Sequence, residues 1–346
     1  MVFEKPSDNV NVRRRVASST LSKVFIFASI VGFCAPACVQ RRTRPLSPSS
    51  SQNIQNIQIR LGRANGEIVV FPLSQYVRGA VLGEVPIASL PAEAAKTMAE
   101  VQAILARTYA VHNLGRHAAE GFDLCSTTHC QVYRDVSTQL SPSQLLVDRI
   151  VSRTRAIVVV HDGNPIEALF HANCGGATSP AGSIWGGLSP PYLRGIRDEF
   201  CLVGDNASWT FTVSRENLRN ALNNDGRMAV GERLRSINIL RRDAAGRAVE
   251  VMIDGSHSHI ARGEVIRALI AKKFGWAAFK SSRFDVTEYA DRFLFSGSGH
   301  GHGAGLCQTG AMERARAGHD SARILRDYYP GTTLRPYNIS DRTTPG

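Results

Sequence analysis

The chain has 346 residues, 43% hydrophobic and 20% charged, so it can bury one large core or two smaller ones and is neither a disordered nor a fibrous sequence. Its 41 Lys and Arg against 29 Asp and Glu give a formal net charge of +12, which suits anionic partners: nucleic acid, anionic lipid or cell-wall polymer. The arginines are scattered, and no zinc-finger, RNP-type or basic-helix signature appears, which argues against nucleic acid.

At the N-terminus, Arg13, Arg14, Arg15 and Lys23 precede an apolar run from Val24 to Ala37, "VFIFASIVGFCAPA". The run is short for a membrane span and is flanked by positive charge, the layout of a secretory signal. Ala35-Pro36-Ala37 offers a small-x-small cleavage site that would make Cys38 the first mature residue. Lipidation at Cys38 and an uncleaved signal anchor are the alternatives, although Ala-Pro-Ala is a poor lipobox. In each case the domain is exported to the cell envelope, and membrane contact is through this segment alone. Residues 39–56, rich in Ser, Pro and Arg, read as a flexible linker. An ordered domain is expected over 57–338, with a tail at 339–346.

"IQIRLG" and "EIVVFPL", separated by "RANG", predict a hairpin. "LSQYVRGAVLGEVP" predicts a short helix ending in a loop. A long helix follows, with Ser89 as its cap, Pro91 in its first turn and Gly115 at its end. "FDLCSTTHCQVY" lies in the loop after it. "AIVVVHDG" and "PIEALFHAN" predict strands joined by a Gly-Asn turn, before a glycine-rich stretch, "CGGATSPAGSIWGG". A smaller α/β lobe is expected at about 205–290: strand "WTFTVS", helix "RENLRNALN", strands "RSINILRRD" and "AVEVMIDG", helix "GEVIRALIAKKFG". A second glycine-rich loop, "FSGSGHGHGAGLCQTGAMERARAG", runs into a helix. Strands and helices mix without a βαβ rhythm, so the predicted class is α+β, arranged around a substrate groove.

Several residues could carry chemistry. Glu84, in "LGEVPIASLP", is a lone carboxylate among apolar neighbours. Such a group has its pKa raised and can serve as a general acid near neutral pH. Local sequence alone prefers an ordinary solvated loop Glu. Cys125 and Cys130, with His129 beside the second and His117 upstream, match zinc ligands at the upper edge of the usual spacing. A downstream ligand pair is missing, and a Cys125–Cys130 disulfide fits an exported chain equally well. A nucleophilic Cys ranks third. Beyond the signal, Cys125, Cys130, Cys174, Cys201 and Cys307 make five, so they cannot all pair with one another. His300 and His302 would share a face on a strand, and a metal pair is conceivable; a hydrogen-bonded turn is preferred. The glycine-rich runs lack the spacing of a phosphate-binding loop.

Taken together, "YVRGAVLGEVP…LPAEAAKTMAEVQAILARTYAV", "FDLCSTTHCQVY", "ALFHANCGGAT…WGG…PYL" and "GHGHGAGLCQTGAMERARAG…ILRDYYPGT" resemble the SpoIID/LytB family across roughly residues 57–337. The resemblance implies a peptidoglycan lytic transglycosylase that cuts the glycan between N-acetylmuramic acid and N-acetylglucosamine and leaves a 1,6-anhydro end. The family's "AEMP"-like motif maps its catalytic carboxylate onto Glu84 in "GEVP". Its zinc ligands map onto Cys125, His129 and Cys130, with His117 as fourth, and the resemblance thereby tips that loop toward a structural zinc. Gln131, Tyr133, Trp185, His300, His302 and Gln308 are the expected groove residues. The implied partners are glycan strands and a cell-wall amidase, because the LytB branch acts as an amidase enhancer; a non-catalytic enhancer is the alternative function. Cys174 and Cys307 stand where many members carry small hydroxyl residues, and Val85 where they carry Met.

Overall fold

The computed structural model describes residues 58–63, 66–135, 141–202 and 208–338. The expected signal or anchor with Cys38, the linker and the tail lie outside the described residues. Among the described residues no helix is long and apolar enough to cross a membrane.

The hairpin forms as expected from β1 (Gln58–Gly62) and β2 (Ile68–Pro72), with Ile59 and Leu61 pointing into the core. α1 (Leu73–Glu84) follows, then one 3-10 turn, then α2 (Ala92–His112). Ser89 does not cap α2: its hydroxyl donates to the Pro86 carbonyl at 2.8 Å, and Pro91, in an extended conformation, occupies the N-cap. α2 is rich in alanine, and α1, α3 (Pro142–Arg153) and later helices all pack against it. Side chains this small let neighbours close in from several directions, which makes α2 the central helix. β3 (Leu124–Cys125) runs parallel to β1. β4 (Ile157–His161) and β5 (Asn164–Pro165) form a tight hairpin. Its turn is Asp162-Gly163, at φ of 47° and 80°, one residue earlier than the expected Gly-Asn pair. Two positive φ values in a two-residue loop match the twist of the strands they join. β6 (Phe170–His171) and α4 (Ala181–Trp185) complete this part.

A second hydrophobic core then begins. It comprises β7 (Trp209–Ser214), α5 (Arg215–Asn223), β8 (Leu234–Arg242), β9 (Ala248–Gly255), β10 (His259–Ala261), α6 (Gly263–Phe274), β11 (Phe284–Glu288) and β12 (Arg292–Gly297). The strands make two three-stranded antiparallel sheets, ordered β10-β9-β8 and β11-β12-β7. The lobe extends past residue 290, because Phe293 and Phe295 on β12 are buried with Trp209, Phe279 and Phe284 in the same core.

The chain then returns to the first core. β13 (Leu306–Cys307) pairs in parallel with β6, α7 (Gln308–Arg316) and α8 (Ser321–Tyr328) lie against α2, and β14 (Thr333–Pro336) pairs with β4. The class is α+β. Arg247 ties the two cores together. It is 1% exposed, and its guanidinium donates to Ser282 Oγ (3.3 Å) within the lobe and to the carbonyls of Gly301 (3.2 Å) and Cys174 (3.4 Å) outside it.

Candidate functional site

Glu84 is the last residue of α1, not a loop residue. Two properties of that place act on its charge. The C-terminal end of a helix carries partial negative charge and disfavours a carboxylate. Burial disfavours the charged form as well, and it lifts the carboxyl from 4.5 to about 7 against two opposing hydrogen bonds. One of these is the Val132 N–H, which donates to Oε1 at 2.5 Å. The other comes from Gln308, whose Nε2 also donates to the Glu84 main-chain carbonyl at 3.3 Å. Among the described residues no other carboxylate contributes to the shift.

Val132 reaches Glu84 because α1 presents glycine where the incoming chain lies. A Cβ on Gly83 would sit 2.3 Å from the Val132 carbonyl oxygen, and one on Gly79 would sit 2.1 Å from the Tyr133 ring. Gly79 and Gly83 are one turn apart and share a face of the helix. The Arg134 N–H donates to the Gly79 carbonyl at 3.1 Å, so the segment 132–134 lies directly on the helix backbone.

That segment leaves the Cys/His loop. Cys125 and Cys130 are free thiols. One donor atom from each of His117, Cys125, His129 and Cys130 lies within 4.8 Å of the others. His117 Nε2 is 3.3 Å from Cys130 Sγ, and His129 Nδ1 is 3.7 Å from both sulfurs. A tetrahedral zinc with bond lengths of about 2.0–2.3 Å needs donor separations of about 3.3–3.8 Å, so this donor set fits such an ion in number, type and spacing. His117 Nδ1 is 2.6 Å from Glu120 Oε1, the outer contact that fixes which ring nitrogen faces inward. Hydrogen bonds from Cys130 first, then from Thr127 and His129, pull the Cys125 thiol down to about 3 against the cost of burial.

The family model "Stage II sporulation protein", SpoIID, matches residues 63–161, which contain Glu84 and the whole Cys/His loop. The chain belongs to the SpoIID/LytB family. A second model, a domain of unknown function named DUF8618, matches residues 205–305, nearly the inserted lobe. An uncharacterized protein of Brachyspira hyodysenteriae is 31% identical over 77% of this chain and 67% of its own length. Stage II sporulation protein D of Bacillus subtilis is 27% identical over 78% of this chain and 76% of its own. The amidase enhancer of Bacillus subtilis is also 27% identical, over 75% of this chain but only 40% of that longer protein. Family membership gives the chain a role at the cell wall.

The expected groove residues separate into distinct environments. Gln308, the first residue of α7, lies against Glu84. Gln131 does not reach a groove surface: it is fully buried and accepts from the Tyr76 hydroxyl at 2.8 Å. Its side chain falls on the inner face of a segment whose backbone contacts α1. Tyr133 stacks on Phe71 and Tyr76, with ring centroids 5.2 and 6.0 Å apart, and covers Gly79. His302 is engaged at both nitrogens: Nδ1 accepts from the Ala304 N–H (3.1 Å) and Nε2 lies 2.9 Å from the Phe170 carbonyl. This pattern makes it a neutral Nε2–H imidazole, and burial holds its pKa down to about 3. Main-chain groups thus satisfy both ring nitrogens of His302. Trp185 packs on His302, with ring centroids 5.2 Å apart, and is half exposed, so it still offers a ring face. His300 exchanges two backbone hydrogen bonds with Asn173, at 2.8 and 3.0 Å.

Sequence reasoning missed two features. The Val132 contact is made by a backbone N–H and leaves no residue-type signal. The second is a meeting of Cys174, Asp198 and Cys201 with Cys307, which is more than a hundred residues further along the chain; the odd cysteine count was its trace.

Proposed function

We propose that the protein is an exported peptidoglycan lytic transglycosylase in which Glu84 acts first as general acid and then as general base. The observation that carries this reading is a carboxyl poised at about 7, on a helix C-terminus, with one oxygen held by a main-chain N–H. Oε1 accepts from Val132, so the transferable proton belongs on Oε2. Protonated Glu84 gives that proton to the glycosidic oxygen as positive charge develops at the muramic acid anomeric carbon. The glycosidic bond breaks and the leaving sugar departs as an alcohol. The Glu84 carboxylate then removes the proton of the muramic acid C6 hydroxyl, and that oxygen closes the 1,6-anhydro ring. The Val132 N–H stabilises the carboxylate between the two steps. The sugar supplies its own nucleophile, so no second carboxylate is needed to position water, in contrast to ordinary glycoside hydrolysis. General acid help of this kind is worth on the order of 10²–10⁴ in rate.

His117, Cys125, His129 and Cys130 would hold a structural zinc. Its contribution would be rigidity in the loop that carries Val132 to Glu84, with no part in the bond-breaking steps. Gln308 positions the end of α1, and Trp185 offers a face for sugar stacking.

A second reading, a wall-binding protein that stimulates an amidase, is favoured by the relative named amidase enhancer and by the basic charge. One experiment separates the two. The native protein and Glu84→Gln are incubated with peptidoglycan and with peptide-free glycan strands, and the products are read by mass spectrometry. Anhydro-muramyl ends from the native protein alone are expected. Reducing ends would overturn the transglycosylase step. No product from either protein, with glycan binding intact in both, would favour the enhancer.

A further inference from the structure

A second set of candidate donors, three thiols and a carboxylate, is buried elsewhere in the chain. Cys174 follows β6, Asp198 and Cys201 belong to one 3-10 turn, and Cys307 ends β13 and caps α7. All four residues are 0% exposed. One donor atom from each lies within 4.8 Å of the others. Cys174 Sγ is 2.9 Å from Cys201 Sγ and 3.6 Å from Asp198 Oδ2.

The surroundings are built for anionic sulfur. The Gly176 N–H donates to Cys201 Sγ at 2.9 Å. Cys307 Sγ accepts from the N–H groups of Cys174 (3.2 Å) and Gly310 (3.4 Å), the second at the N-terminus of α7. Beside the N-cap bond from Gly310, two further main-chain donors point at these sulfurs, more than cysteines buried merely as small hydrophobes need. The carboxylate is oriented as well: Asp198 accepts from the Tyr328 hydroxyl at 2.5 Å and from Arg314 Nη2 at 3.1 Å. Gly310 makes room for it, since a Cβ there would lie 2.1 Å from Asp198 Oδ2. Hydrogen bonds to the sulfurs and to a ligating carboxylate are the usual outer contacts of a thiolate metal centre. A disulfide between Cys174 and Cys201 would use two of the sulfurs and leave Cys307 only as the cap of α7 and Asp198 only as the partner of Tyr328 and Arg314.

We propose that Cys174, Cys201, Cys307 and Asp198 form a buried zinc site, distinct from the Cys/His loop. Three thiolates and one carboxylate are a complete tetrahedral set for this ion. Binding it would open the Cys174–Cys201 pair to about 3.8 Å, the edge of a tetrahedron with zinc–sulfur bonds of about 2.3 Å. The ion would fasten three separate segments at the point where Cys307 hands the chain to Gln308, the residue against Glu84.

The test is metal content, and it requires no enzymatic activity. The protein is purified under reducing conditions from zinc-supplemented cells, and zinc per chain is measured by mass spectrometry. The wild type is expected to carry about two equivalents. The Cys125→Ser/Cys130→Ser variant, which leaves the buried cluster intact, is expected to keep about one. Replacing that ion with Co²⁺ should give an intense thiolate-to-cobalt charge-transfer band and strong tetrahedral visible bands. Cys174→Ser/Cys201→Ser should lose the equivalent that the loop variant keeps. A folded loop variant with no zinc would overturn the proposal. So would a single wild-type equivalent that disappears with the loop cysteines. A Cys174–Cys201 cross-linked peptide, two hydrogens lighter, from protein prepared without oxidant would overturn it as well.

Discussion

Replacing Glu84 by Gln should stabilise the protein in alkali and leave its stability nearly unchanged in acid. Glutamine keeps the shape and an acceptor for the Val132 N–H but cannot ionise. The native carboxyl is held at about 7, against an ordinary value of 4.5. A raised carboxyl pKa means that the folded state binds the proton more tightly than the unfolded chain does. Stability from this group is therefore complete below pH 4.5, declines as pH rises through 7, and is level above that. At 1.36 kcal/mol per pH unit, the loss reaches at most about 3 kcal/mol by pH 9. Denaturant unfolding of native and variant protein at pH 4 and pH 9 measures it. The expected result is near-equality at pH 4 and an advantage of up to about 3 kcal/mol for the variant at pH 9. An equal difference at both pH values would show that Glu84 titrates alike in folded and unfolded chains, and the buried general acid would lose its basis.

If one carboxyl serves as acid and then base, kcat/KM on glycan strands should be flat below pH 7 and fall about tenfold per unit above it; a bell with an acidic limb near pH 4 would reveal a second carboxylate. Gly83→Ala puts a methyl into the Val132 carbonyl and should cost about 1–3 kcal/mol while pushing the N–H off Glu84. Its rate profile should therefore break at higher pH, because the bond that favours the carboxylate is weakened; an unchanged break would mean that Val132 does not tune the group. Glu120→Gln removes the anion on His117 Nδ1 and should weaken zinc at the loop site by about 10–100-fold, read by competition with a chromophoric chelator. Unchanged affinity would remove His117 from the ligand set.

Five of the elements of the inserted lobe were legible in the sequence. "WTFTVS" and "AVEVMIDG" alternate at period two and became β7 and β9, and "RENLRNALN" became α5 with Ser214 as its cap. β10, β11 and β12 went unread, being only three to six residues long. In the site, residue types could be read and partners could not. Glu84 looked like a loop carboxylate because its helix ends on it; the pressure on its charge is burial, relieved in part by a backbone group 48 residues away. Gln131 looked like a groove residue beside the Cys/His loop, but one step along an extended segment reverses the side-chain direction and buried it. Cys174 and Cys307 looked like mild replacements because their meeting with Cys201 depends on three distant segments converging.

Arg247 bears on how such a chain can be rearranged. The inserted lobe is continuous in sequence and has its own core, so it invites excision or exchange. Its most deeply buried cation, however, donates two of its hydrogen bonds to oxygens the lobe does not own, the carbonyls of Gly301 and Cys174. Arg283 of the same lobe likewise donates to the Gly175 carbonyl. A lobe transplanted without these oxygens would carry a desolvated guanidinium, and a chain trimmed of the lobe would leave carbonyls facing nothing. The modular unit therefore includes both glycine-rich loops, and a chimera cut at the sequence boundaries of the lobe should fold less well than one that carries the loops with it.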